Sequence, residues 1–130
     1  MPDVHKFVGF VVVAIFAVGW LWGLGVWILR RHDPGPAFWV WVTVAQVAAG
    51  LEALIGVVLL ILGYRPDTML HYVYGIGPLI VLGFAHWIAR EGQKVKDGSN
   101  PFPPWIWFAG GAFICFGLSL RAVMTGLGIG

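Results

Sequence analysis

Four apolar runs leave this chain little choice of fold. Residues 7–29 carry no charge, residues 38–62 are interrupted only by Gln46 and Glu52, residues 69–89 hold His71 and His86, and residues 105–126 contain Arg121. Each run has about 20 residues or more, enough helix at 1.5 Å per residue to cross roughly 30 Å of hydrocarbon. Inside a bilayer the backbone must satisfy its own N–H and C=O groups, which a helix does within one segment. The expectation is an all-α, polytopic membrane protein: a bundle of four transmembrane helices in one domain spanning residues 1–130, with both termini on the same side. Composition agrees, since 59% of the 130 residues are hydrophobic and only 11% charged, against about a quarter charged in soluble domains.

The first run begins near Lys6, as a secretory signal would. Its apolar core is too long for one, and "GWLWGLGVW" offers no small-residue cleavage site, so it is read as a span. The lone Cys115 falls inside the fourth run, where no disulfide or cysteine metal site is available.

The connections "RRHDPGPA", "GYRPDT" and "REGQKVKDGSNPFPP" all contain proline and charge, which end helices and belong in water. The first and third share one face and hold Arg30, Arg31, Arg90, Lys94 and Lys96; the other face holds Lys6 and Arg65. The basic excess predicts that the first face is cytoplasmic and that both termini lie outside. Tryptophan follows the same asymmetry: Trp27, Trp39, Trp41, Trp87, Trp105 and Trp107 stand near the basic connections, and Tyr64, Tyr72 and Tyr74 near the other face. With a net charge of only +2 and basic residues confined to loops, nothing calls for nucleic acid as a partner.

Glu52 is the conspicuous charge. It lies 16 residues beyond Pro36, and Arg121 lies 17 beyond Pro104, so if both prolines open helices the two charges sit at nearly equal depth on helices 2 and 4. Ala45, Ala49, Glu52 and Gly56 share one stripe, and Gly110, Gly117, Arg121 and Thr125 share another. Small residues line helix contacts in membranes, so both charges are expected to face the bundle and pair, with Tyr72 or Tyr74 hydrogen-bonding to the pair. The alternative for Glu52 is a proton or ligand site. On helix 3, Pro78 should produce a kink, and a polar cavity is expected in that half of the bundle, lined by His71, Tyr72, Tyr74, Glu52 and Arg121.

Membrane histidines raise the question of haem b. His71 and His86 are 15 residues apart, about 22 Å of helix, too far to grip one iron between them. His5 and His32 flank the first run and are placed outside the hydrocarbon. The chain alone is therefore expected to be colourless, with His71 and His86 in interfacial or helix-packing roles; a haem with one histidine or shared with another subunit, or a quinone, stays open. No nucleotide loop, activated nucleophile or metal-ligand cluster is present, and no enzymatic activity is expected.

"GYRPDTMLHYVYG" and "RAVMTG" resemble segments of a group of small, uncharacterised four-helix integral membrane proteins of bacteria. The resemblance implies a multi-pass protein of the bacterial plasma membrane and weight on His71, Tyr72 and Arg121; it implies no reaction. Three functions are compatible with these features. The first is a non-enzymatic accessory or assembly subunit that binds other membrane subunits or itself. The others are a redox-associated quinone- or haem-binding protein and a minimal proton-coupled transporter using Glu52.

Overall fold

The structure, a computed structural model, describes residues 3–29, 34–93 and 103–128. Arg30, Arg31, Lys94 and Lys96, which carry part of the orientation argument, lie outside the described residues, as does His32. Four helices make up the fold: α1 (Asp3–Ile28), α2 (Pro36–Ile61), α3 (Leu70–Gln93) and α4 (Pro104–Gly126). All four are long and apolar enough to span a membrane. Among the described residues there is no strand. Pro36 and Pro104 each open a helix, where a missing N–H costs no hydrogen bond. The first connection reaches α2 through Gly35, whose φ of 89° suits glycine.

α1 starts four residues before the apolar run does. Asp3 stands in its first turn, where a carboxylate favours the positive end of the helix dipole. That extra turn carries His5 into the protein. The inward stripe of α1 then reads His5, Gly9, Val12, Phe16, Gly19, Gly23, Val26, alternating steps of three and four as a single helix face requires.

α4 packs closely against both α1 and α3, α2 leans on α1, and α2 touches α3 only lightly. The pairs α1/α3 and α2/α4 therefore stand on the diagonals. Glycines set the closest approaches. The Trp41 indole lies directly over Gly19 and donates from Nε1 to the Ile15 carbonyl at 2.8 Å, and Gly23 faces Ala109 on α4. A Cβ at either glycine would run into that neighbour, so "GWLWG" works as two successive helix contacts.

Packing differs between the two ends. Towards the first and third connections, Phe16, Phe38, Trp41, Phe108 and Trp105 are buried and interlock, with Phe38 in ring contact with Trp22, Trp39 and Trp41. Towards the middle connection the inward residues are mainly glycine, alanine and serine. Bulky rings fill one end of the bundle, and small residues leave the other hollow.

One expected face is corrected. Gly110 and Gly117 point outward with nothing within 4 Å of a Cβ, whereas Gly111, Ala112, Cys115, Ser119 and Val123 face the bundle. Pro78 lies within α3, which continues through it as one helix, and its carbonyl accepts a contact from the Cys115 thiol at 3.5 Å.

Candidate functional site

The hollow end forms a cavity of about 640 Å³ reached by all four helices and the middle connection. Such a volume falls within the roughly 300–1,000 Å³ of small-molecule and cofactor sites. Small residues make the space: Gly9 on α1, Ala49, Ala53 and Gly56 on α2, and Ser119 and Ala122 on α4. α2 and α3 barely touch, and both line the cavity, which therefore adjoins their seam.

A polar cluster converges within this chamber. Glu52 places Oε1 2.9 Å from Nδ1 of His5, close enough for an ion pair when the imidazole is protonated, though not in line as a hydrogen bond. Both side chains are largely buried, at 19% and 12% exposure. Gly9 leaves the room for this, since a Cβ there would stand 3.3 Å from the carboxylate oxygen. The other oxygen, Oε2, is buried without a hydrogen-bond partner. Such a group is costly in a low-dielectric interior.

His71 joins the cluster from α3. Its ring centroid lies 6.0 Å from that of His5 with the planes at 77°. Nδ1 stands 2.9 Å from the Ala122 carbonyl and 3.1 Å from the Thr125 hydroxyl, which itself bonds to the Arg121 carbonyl at 3.0 Å. A backbone carbonyl can only accept, so His71 carries its proton on Nδ1 and, when neutral, keeps its lone pair on Nε2.

The expected pair of Glu52 with Arg121 is replaced by the pair of Glu52 with His5. Arg121 lies two positions, about 200° of helix, from each of the inward residues Ser119 and Val123. Its guanidinium carbon instead sits 5.6 Å above the Tyr74 ring, and its Nη1 is 3.8 Å from the Met124 sulfur. Tyr72 and Tyr74 line the cavity without a hydrogen bond to Glu52. His86 lies at the other end, exposed, 2.8 Å from the Gln46 amide across the α2–α3 seam and edge-on to Phe108 at 4.8 Å.

The sequence reading placed Glu52, Arg121, His71, Tyr72 and Tyr74 around one cavity and left His5 outside; the cavity is lined by the other four and not by Arg121. The signal for His5 was present: the α1 stripe continues backward through Gly9 to His5 at the same three-and-four spacing. It was hidden because the apolar run starts at Phe7, and polarity at a helix end reads as the edge of the membrane. Among the described residues no group of three or more His, Cys, Asp or Glu is arranged to hold a metal ion.

Four apolar helices define the class: a small multi-pass integral membrane protein. Beyond that class, no family model matches the chain, and neither a curated protein nor a solved structure does.

Proposed function

We propose that this protein binds a lipid-phase ligand, holding its polar head against His5, Glu52 and His71 and its apolar body along the small-residue walls of the cavity. The observation that carries this reading is the convergence of His5, Glu52 and His71, one with a buried oxygen lacking a partner, in a chamber walled mainly by small and apolar residues and lined also by Lys6, Arg65 and Asp67. A structural salt bridge alone needs no chamber of about 640 Å³ around it. Binding rather than catalysis or transport is favoured. The cluster of His5, Glu52 and His71 lies in one half of the bundle; in the other half Phe16, Phe38, Trp41 and Phe108 are buried across the interior where a transport path would have to continue, and Gln46 and His86 meet apart from the cluster, at the α2–α3 seam. With the basic excess facing the cytoplasm of a bacterium, the cavity lies in the outer half of the plasma membrane.

The test is binding of an environment-sensitive apolar dye to the protein in mild detergent, with displacement by lipid-soluble quinone analogues. Saturable binding is expected, with at least a tenfold loss in Ala53→Trp, which fills the chamber. Non-saturable binding, or binding unaffected by Ala53→Trp, overturns the proposal.

A role as an accessory subunit is a compatible second reading. It is favoured by Gly110 and Gly117, one stripe of small residues facing outward from α4 with open space before them, the form of surface on which another membrane helix packs closely. Co-purification of a second membrane protein that is lost in Gly117→Leu tests it.

A further inference from the structure

We infer that the ligand is an iron porphyrin, a haem of b type, with His5 and His71 as its two axial ligands. This rests on the ligand-binding reading of the same cavity and gives that ligand a chemical class. The two histidines come from the first turns of α1 and α3, on a diagonal of the bundle, so a molecule between them lies across one end of the bundle and not against one wall. Their ring centroids are 6.0 Å apart. An imidazole–metal–imidazole axis with metal–nitrogen bonds of about 2.0–2.1 Å spans about 6 Å between ring centres. Planes at 77° suit it, because each axial ring need only contain that axis.

The outer nitrogens point to the same conclusion. Nδ1 of His71 hydrogen-bonds to the Ala122 carbonyl, and Nδ1 of His5 lies within ion-pair distance of the Glu52 carboxylate, 2.9 Å away though out of line for a hydrogen bond. Ligating histidines are characteristically held as His71 is, with an acceptor on one nitrogen that fixes the ring and the tautomer and leaves the other nitrogen's lone pair for the metal, and the Glu52 carboxylate stands where it can do the same for His5. Two histidines placed this way in one cavity each leave Nε2 for a metal, and among the described residues no group of three or more His, Cys, Asp or Glu is arranged to hold a metal ion. A bare ion would be left under-coordinated. A porphyrin iron arrives with four equatorial nitrogens and needs only the two axial ones.

The walls and mouth fit such a guest. Gly9, Ala49, Ala53 and Ala122 offer flat apolar surface for a macrocycle. Lys6 and Arg65 at the rim are both exposed, where they can meet carboxylate side groups of the ring. His86 takes no part, because its Nε2 bonds to Gln46 in the opposite half of the bundle.

The experiment is titration of the intact protein in mild detergent with ferric haem, followed by visible spectra before and after dithionite, with the apolar-dye assay run on the same samples. Expected are saturation at one haem per chain, a low-spin six-coordinate spectrum, loss of that spectrum in His5→Ala and in His71→Ala, and its retention in His86→Ala. His71→Met supplies a second check that does not depend on removing a ligand: it should keep haem and raise the midpoint potential, as methionine ligation does. A spectrum indifferent to His5→Ala, or haem binding only in high-spin form, overturns the axial assignment. Dye binding without haem binding overturns the haem class while leaving the lipid-phase ligand; absence of both overturns the two proposals together.

Discussion

Glu52 and His5 show what a residue-level reading can and cannot see. That Glu52 faces inward is legible, because Ala45 and Ala49 on its stripe are buried and Gly56 looks toward His5. Its partner is not legible, for two physical reasons. Counting from helix-opening prolines measures depth, whereas contact also depends on azimuth, and Arg121 sits at a suitable depth but is turned toward Tyr74. The true partner lies on a charged first turn that hydropathy assigns to water. The pairing makes a quantitative prediction for a double-mutant cycle in detergent with His5→Leu, Arg121→Leu and Glu52→Leu. Side-chain interactions between membrane helices are worth about 0.6 kcal/mol on average and up to about 1.7 kcal/mol. The His5–Glu52 cycle should show coupling towards the upper value, because either single change leaves a buried polar group uncompensated and the double change does not. The Glu52–Arg121 cycle should be additive within error. Coupling in the second cycle and none in the first would reverse the assignment made here.

At the scale of the helix, most of the fold was legible because long apolar runs and helix-opening prolines are strong local signals. The finer placement depended on glycines, whose meaning differs from site to site. Gly19 and Gly23 are contact points, with Trp41 and Ala109 where their side chains would be, while Gly25 on the same helix has nothing within 4 Å. No single-sequence pattern separates these cases, since the distinction rests on what the neighbouring helix places there. It predicts opposite outcomes for one chemical change. Gly19→Ala should lower the thermal midpoint by an amount matching about 1–3 kcal/mol, because the Trp41 indole must leave its site and its bond to the Ile15 carbonyl. Gly25→Ala should be neutral or stabilising by up to about 1 kcal/mol, since alanine favours the helix and meets no obstacle. Equal effects at the two positions, measured by thermal unfolding in one detergent, would show that α1 and α2 do not approach through Gly19.

For the whole molecule, the segregation of bulky from small residues connects orientation to function. The aromatic end lies toward the first and third connections, which carry five basic residues in the sequence against two on the other face. Lysine and arginine are retained on the cytoplasmic side during insertion, and the short connections here are of the length over which that bias operates. The hollow end with His5, Glu52 and His71 should accordingly open toward the outer leaflet, and a ligand entering between α2 and α3 should come from that leaflet. Asp67 and Arg90, both exposed and at opposite ends of α3, report the two faces. In a background of Cys115→Ala, Asp67→Cys should react with a membrane-impermeant thiol reagent added to intact cells. Arg90→Cys removes one of the five basic residues yet leaves four against two, so orientation should hold and its label should appear only after the cells are permeabilised. The reverse pattern would place the cavity in the inner leaflet and the basic connections outside. It would then follow that insertion is governed by something other than loop charge, such as the tryptophans gathered at that same end.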